Sequence, residues 1–204
     1  MNQPKPFSQA CENNKEPILH VLRQIFVKPV TVWEIGSGTG QHACHFAGHL
    51  PHVIWQPADR AEYLPGIEQW ISDAGLSNLK PPVSLDVNDL VWPCSRIEAL
   101  FTANTLHIMS WQEVTVLFAR LKSLLAKDAT VCIYGPFNYN GQYTSVSNEF
   151  FDQSLKARDL LSGIRDFEAV AAEAQNAGLI LVEDHAMPAN NRLLVFQKSR
   201  LETG

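Results

Sequence analysis

The stretch Val32-Trp33-Glu34-Ile35-Gly36-Ser37-Gly38-Thr39-Gly40 decides the fold of this chain. Its mostly apolar first half is typical of a buried β-strand, and it leads directly into a turn with three alternating glycines. Glycines allow positive φ angles and let a ligand approach the backbone, while the start of a following helix offers unpaired N–H groups. The stretch therefore predicts a strand, a turn that binds a nucleotide-like ligand, and then a helix.

The spacing of the glycines separates two classes of nucleotide-binding protein. A dinucleotide-binding turn has the pattern G-x-G-x-x-G, whose third glycine would fall at position 41, which is Gln41. The pattern here is G-x-G-x-G, with Glu34 two positions before the first glycine. It resembles the cofactor-binding motif of class I S-adenosylmethionine-dependent methyltransferases. The alternative is a tight turn that binds nothing, for which each glycine would cost about 0.5–1 kcal/mol without a packing gain.

The resemblance assigns the first group of candidate site residues. It implies that the loop containing Gly36, Ser37, Gly38 and Gly40 cradles the methionine end of S-adenosyl-L-methionine. It also implies that Glu34 helps to hold the ammonium group of the cofactor, directly or through water. We therefore expect these residues to form the cofactor site.

Acidic residues further along the chain extend the predicted cofactor site. Asp59 follows the second predicted strand, where a carboxylate is placed to accept both ribose hydroxyls of a nucleotide cofactor. The resemblance implies that Asp86, followed by Val87, hydrogen-bonds the adenine amino group. The alternative for Asp59 is a surface aspartate before a helix. The alternative for Asp86 is an aspartate in a polar turn, and Asp89 is a nearby competitor for its role.

The segment 102–107 ends the fourth predicted strand, beside the point where ligands gather in such sheets. It places Asn104 in the cofactor site and His107 where the methyl acceptor is expected. His107 is a candidate general base or acceptor-orienting residue, and a hydrogen-bonded structural histidine is the alternative. The loop 136–143 offers aromatic rings and amides of the kind that line small-molecule sites, and Tyr139 is the second candidate base.

Histidines and cysteines do not combine into a predicted metal site. His42, His45 and His49 share one helix face, but no carboxylate or thiolate completes a ligand set, so we predict a solvated histidine edge and no metal. The four cysteines are far apart and contain no C-x-x-C pair, which favours reduced thiols.

Short β-branched runs alternate with helical stretches along the whole chain, which is typical of a mostly parallel sheet. We predict strands at 30–35, 52–56, a run ending near 86, 98–104, 129–135, 179–185 and 193–197. Pro17 is expected to open the first helix, and Ser110-Trp111-Gln112-Glu113 is a capping box for a later one. The prediction is an α/β, Rossmann-like class I methyltransferase fold in one domain, 1–204. It has a seven-stranded sheet with an antiparallel last strand, and helices on both faces.

Composition limits the partners and the location of the chain. Its 204 residues carry 16 basic and 21 acidic side chains, a formal net charge of −5, so we expect no nucleic-acid partner. No apolar run reaches the ~20 residues of a membrane-spanning helix, and the first residues do not resemble a secretory signal. We expect a cytoplasmic protein without membrane contact. The oligomeric state is left open.

The chain also resembles, nearly from end to end, an uncharacterised methyltransferase-like family. The similar segments are 12–19, 34–42, 135–137, 163–168 and 187–192. They make Asn14 and Arg192 candidate site residues, and the alternative for each is local capping or surface pairing. The resemblance implies S-adenosylmethionine-dependent transfer of a methyl group to a small-molecule acceptor of unknown identity. A non-catalytic cofactor-binding or scaffold protein is the main alternative, and an NAD-dependent oxidoreductase is a further one.

Overall fold

The structure, a computed structural model, describes residues 4–199. The elements up to residue 84 are α1 (Gln9–Ile25), β1 (Val30–Ile35), α2 (Gln41–His49), β2 (Val53–Asp59), a 3₁₀ turn (Ala61–Tyr63), α3 (Leu64–Ala74) and β3 (Val83–Ser84). The later elements are β4 (Ile97–Ala103), α4 (Trp111–Leu124), β5 (Leu125–Asn138), α5 (Val146–Arg158), β6 (Arg165–Asp166), α6 (Phe167–Asn176), β7 (Leu179–Met187), a 3₁₀ turn (Pro188–Asn190) and β8 (Asn191–Lys198).

The strands follow the order β3-β2-β1-β4-β5-β8-β7, with the two-residue β6 beside β5. β1 pairs in parallel with β2 and β4, and β2 pairs in parallel with β3. β8 runs antiparallel to both β5 and β7. The predicted fold class is therefore confirmed, including the reversal of the last strand. The seven predicted strands are all present, and β6 is an addition too short to have a sequence signal of its own.

The chain divides into two compact units. Among the described residues, the first unit contains those up to Pro93 together with Ala99–Phe101, and the second contains Cys94–Glu98 and those from Thr102 onward. In the first unit Phe46, Trp55 and Phe101 pack with ring centroids 5.3 to 5.8 Å apart. That the whole chain is one domain stays a prediction.

Helix α1 begins earlier than the sequence predicted. Ser8 is its N-cap, because the Ser8 hydroxyl accepts a hydrogen bond from the N–H of Cys11 at 3.4 Å, and Pro17 lies inside the helix. The prediction that Pro17 opens the helix was wrong. A proline inside a helix removes one backbone hydrogen bond, and the burial of the apolar face, with Ile18 and Leu19 fully buried, offsets that loss.

Three local features of the second unit are the cap of α4, the length of β5 and the pairing of β7. The capping box of α4 is confirmed, since the Ser110 hydroxyl accepts from Glu113 N–H and the Glu113 carboxylate accepts from Ser110 N–H. β5 continues to Asn138, so the predicted loop at 136 begins as strand. In β7 the pairing with β8 shifts register between Leu181 and Glu183. Within residues 4–199, no helix is both long enough and apolar enough to cross a bilayer.

Candidate functional site

The glycine turn lies at the carboxyl end of β1 and is built from left-handed backbone. Gly36, Gly38 and Gly40 have φ angles of 76°, 57° and 87°. A Cβ atom on Gly38 would meet no protein atom within 4 Å, whereas one on Gly40 would lie 3.1 Å from Cγ2 of Ile67. Gly40 is therefore needed for packing against α3. Gly38, by contrast, presents bare backbone to open space.

Asp59 is the last residue of β2 and contacts this turn directly. Its Oδ2 atom accepts the N–H of Gly38 at 2.6 Å, and its Oδ1 atom accepts the N–H of Arg60 at 2.8 Å. Burial raises the pKa of the Asp59 carboxyl above its ordinary value, although these two backbone hydrogen bonds act in the opposite direction. The structure thus brings together Gly38 and Asp59, which are 21 positions apart in sequence.

Glu34, on β1, is only 1% exposed. Its Oε2 atom accepts from the hydroxyl of Ser37 at 3.2 Å and from Nε1 of Trp55 at 3.0 Å. The Ser37 hydroxyl also lies 3.2 Å from the Glu34 carbonyl oxygen, so one proton is shared between two acceptors. Burial raises the pKa of Glu34 to about 8, and the nearby Asp59 adds to the rise. The Glu34 carboxyl is therefore mostly protonated near neutral pH.

The segment after β3 holds Asp86 and Val87. The N–H of Leu85 donates to the carbonyl of Asp59 at 2.9 Å, which fixes the start of this segment beside the end of β2. Asp86 Oδ1 accepts the N–H of Asn88 at 2.9 Å, and Asp89 Oδ2 accepts the N–H of Asp86 at 3.1 Å. Asp86 therefore takes part in a polar turn, as its alternative interpretation expected, and Val87 is buried.

Asn104 and His107 belong to the second unit. Asn104 has a left-handed backbone, with φ of 56°, and its N–H donates to the carbonyl of Tyr134 at 2.9 Å. His107 is 5% exposed, and its ring lies edge-on to the ring of Phe151, with centroids 5.3 Å apart. Burial lowers the pKa of His107 to about 4, and the positive charge of Arg165 contributes. The imidazole is therefore neutral at pH 7.

Tyr139 is held in a network at the end of β5. Its hydroxyl donates to Asp184 Oδ2 at 3.1 Å, and Asp184 Oδ1 accepts from Nε of Arg192 at 2.7 Å. The ring stacks on Phe167. Burial, followed by the charge of Asp184, raises the pKa of Tyr139 to about 12. The phenol therefore keeps its proton, and Arg192 forms a local pair.

The histidine face of α2 differs from the predicted solvated edge. His42 is 5% exposed, stacks on Phe46, and its Nε2 atom donates to Oδ1 of Asn14 at 2.6 Å. Burial lowers the pKa of His42 to about 4. The solvated-edge prediction was wrong for His42 because α1 and the aromatic core cover it. In the described part of the chain, no group of three or more His, Cys, Asp or Glu side chains could hold a metal ion.

Gln41 connects the glycine turn to the segment before α1, and the sequence did not predict these contacts. Its amide oxygen accepts from the N–H of Ser8 at 2.6 Å and from the hydroxyl of Thr39 at 3.0 Å. Its amide nitrogen donates to the carbonyl of Ser8 at 3.3 Å and to the carboxylate of Glu12 at 2.7 Å. The sequence marked Gln41 as a missing glycine and as part of the family-like segment 34–42, and a partner 33 positions away has no local signal.

The structure is similar to solved structures of methyltransferases. An O-methyltransferase family protein from Burkholderia thailandensis has a TM-score of 0.80 at 15% identity, over 91% of this chain and 56% of that one. An O-methyltransferase family 2 protein from Planctomyces limnophilus, solved with apigenin, has a TM-score of 0.80 at 17% identity, over 93% and 58%. The S-adenosylmethionine-dependent methyltransferase SibL, solved in its apo form, has a TM-score of 0.78 at 17% identity, over 94% and 56%.

The similar structures show the fold of the chain, and a family model shows its family. The chain spans somewhat more than half the length of the three similar proteins, and at these identities the likeness shows a shared Rossmann-like methyltransferase fold. The model of a family described as protein of unknown function (DUF938) matches residues 5–198. Because that match covers nearly the whole chain, the chain belongs to the DUF938 family.

Proposed function

We propose that this chain is an S-adenosylmethionine-dependent methyltransferase that acts on a small-molecule acceptor. The observation that carries the proposal is the contact between Gly38 and Asp59. A bare, left-handed backbone faces open space, and a carboxylate lies 2.6 Å from its N–H. A turn with this geometry suits a nucleoside ligand, since the backbone admits close approach and the carboxylate can accept hydroxyl groups.

The residues of the first unit fit the chemical groups of this cofactor. Asp59 would accept the ribose hydroxyls, and the backbone beyond Gly40, at the start of α2, would donate to the carboxylate of the methionine end. Glu34 would help to hold the ammonium group, directly or through water, and the positive charge of that group would favour ionisation of the buried Glu34 carboxyl. The segment with Asp86 and Val87 would contact the adenine. When bound, S-adenosyl-L-methionine supplies a methyl group that is already activated as a sulfonium. The protein therefore needs chiefly to bind and orient the reactants.

The candidate residues for the acceptor lie in the second unit and form a separate part of the proposal. His107 stays the candidate base for a hydroxyl acceptor: its imidazole is neutral at pH 7, but the lowered pKa makes it a weak base, so it would serve only a hydroxyl that is itself acidic. Tyr139 is the weaker candidate, because its hydroxyl donates to Asp184 and holds its proton to high pH. Asn104 stays a candidate for the cofactor site. A nitrogen or sulfur acceptor would need no base.

Two further parts of the proposal, the class of the acceptor and the cellular location, rest on the charge and on the cysteines. The net charge of −5 and the lack of a basic run favour a small metabolite over nucleic acid as the acceptor. The four cysteines, all unbonded in the structure, suit a reducing compartment, so we propose a cytoplasmic location.

Calorimetry with S-adenosylmethionine, S-adenosylhomocysteine and NAD tests the cofactor. We expect Kd values on the order of 1 μM for the first two ligands and no heat with NAD. Methyl transfer from labelled cofactor into a metabolite extract then tests for turnover. Binding of NAD instead would favour an oxidoreductase and contradict the proposal. Cofactor binding without transfer into any extract would favour a non-catalytic binding protein.

His107→Gln tests the proposed base. For an oxygen acceptor we expect the rate of methyl transfer to fall about 10²- to 10⁴-fold, with an unchanged Kd for S-adenosylhomocysteine, because the glutamine cannot take the proton. His20→Gln, on the exposed face of α1, is the matched control. A wild-type rate in His107→Gln, with the acceptor identified as a hydroxyl, would remove His107 from the mechanism.

A further inference from the structure

The residues Lys5–Ser8 precede α1 and form a segment that we name the N-terminal strap. Lys5 Nζ lies 2.5 Å from a carboxylate oxygen of Asp73 and 3.7 Å from the ring centroid of Trp70. The Pro6 carbonyl accepts the N–H of the Trp70 indole at 2.7 Å. The strap is thus bound to one face of α3 by an ion pair, a cation–π contact and a hydrogen bond.

The strap is also bound to the start of α2. The side-chain amide of Gln41 forms two hydrogen bonds with the backbone of Ser8, which we name the clasp. It accepts from the Ser8 N–H at 2.6 Å and donates to the Ser8 carbonyl at 3.3 Å. The oxygen of the same amide accepts from the hydroxyl of Thr39, a residue of the glycine turn. The first residue of α2 and the middle of the turn are therefore both connected to Ser8.

The helix that holds the strap also supports the glycine turn. A Cβ atom on Gly40 would lie 3.1 Å from Ile67 and 3.4 Å from Trp70, so the turn packs closely on these two residues. Trp70 therefore contacts the strap with its indole N–H and the turn with its Cβ atom. A displacement of the strap would free the Trp70 side chain and remove the clasp on Gln41 at the same time.

We propose that the N-terminal strap is a positioning element of the cofactor site, so that docking of the strap and binding of the cofactor stabilise each other. This inference rests on the proposed function. Its physical basis is linkage: a contact that holds the turn in its binding conformation raises the affinity, and the bound ligand in turn holds the contact. Ser8, Gln41 and Trp70 act through the turn and need not touch the cofactor.

Two helical glycines provide a matched pair of variants. A Cβ atom on Gly66, in α3, would lie 2.6 Å from Cγ of Pro6, so Gly66→Ala must displace the strap. A Cβ atom on Gly48, in α2, would lie 3.6 Å from Leu76, an ordinary contact. Alanine favours the helix at both positions. A loss of cofactor affinity confined to Gly66→Ala, without a fall in Tm, is therefore not explained by a weaker fold.

We expect Gly66→Ala to weaken binding of S-adenosylhomocysteine by roughly five-fold or more in calorimetry, and Gly48→Ala to change it by less than about two-fold. Hydrogen exchange on the wild type provides the reciprocal measurement. Saturation with S-adenosylhomocysteine should slow exchange in the peptide that contains Ser8, whose N–H is held by Gln41.

Different failures have different meanings. A wild-type chain that does not bind S-adenosylhomocysteine overturns the proposed function and this inference with it. Wild-type binding with equal affinities of the two glycine variants overturns the strap alone, and so does unchanged exchange at Ser8 on saturation. Trp70→Phe, which removes the donor to the Pro6 carbonyl, gives an independent variant and should weaken binding in the same direction.

Discussion

Gly38→Val is expected to abolish binding of S-adenosylmethionine and S-adenosylhomocysteine while the chain still folds. Gly38 has φ of 57°, where a side chain costs about 1–2 kcal/mol of stability, more for a β-branched one. A Cβ atom there would meet no protein atom within 4 Å, so the fold accepts the added volume. In our proposal the same space holds the cofactor, and the valine methyl groups would occupy it. Calorimetry gives the affinity, and thermal unfolding gives the stability.

The chain contains a control glycine with a similar φ angle. Gly75, at the C-cap of α3, has φ of 60° and also open space at its Cβ position. Gly75→Val should therefore lose a similar amount of stability and keep wild-type affinity. The contrast between the two variants separates backbone strain from exclusion of the ligand. If Gly38→Val binds as tightly as wild type, the cofactor does not lie over this turn.

Glu34→Gln is expected to stabilise the chain at alkaline pH. The folded-state pKa of Glu34 is raised from 4.5 to about 8, so the folded chain binds a proton that the unfolded chain releases. Stability from this group is complete below about pH 4.5 and is lost as pH rises through 8, on the order of a few kcal/mol. Glutamine keeps the shape of the neutral acid and cannot ionise. The variant should therefore gain stability over wild type at pH 8.5 and differ little at pH 5.

Urea unfolding at the two pH values measures this difference. His42 and His107, whose pKa values are lowered to about 4, change stability in the opposite direction, since their contribution is lost as pH falls from 6.5 to about 4. Wild type and variant must therefore be compared at the same pH. Glu68→Gln, on the exposed side of α3, is the control. A Glu34→Gln chain less stable than wild type at pH 8.5 would mean that the ionised carboxylate stabilises the fold.

The fold was predictable because its signals are local. Strand and helix periodicities, the glycine turn and the capping box at Ser110 each lie within a few residues, and the strands, the turn and the capped helix that they predict are present. The sequence predicted Asp59 and Gly38 as parts of one site, because the carboxyl ends of neighbouring parallel strands meet, but the hydrogen bond between them was not predicted. A sequence therefore gives the scaffold of this site with little ambiguity.

The features that the sequence did not predict depend on contacts between segments that are distant in sequence. Ser8 pairs with Gln41 and Asn14 with His42, and no periodicity connects residues 28 to 33 positions apart. The burial of His42 follows from α1 lying over α2, which a helical wheel of α2 alone does not contain. The start of α1 was misplaced for a related reason, because a proline signal competed with a serine cap and the buried face of the helix prevailed.

The register shift in β7 bears on how this chain behaves at high concentration. β7 is the terminal strand of the order, and the consecutive apolar residues Ile180, Leu181 and Val182 are 38–52% exposed. A straight strand of this kind would template the addition of strands from other molecules and so begin an aggregate. The bulge at Leu181/Glu183 interrupts its regular spacing, and the exposed Glu183 places a charge beside the apolar run. Among the described strands, this irregularity therefore opposes the addition of a further strand at the edge that β7 forms.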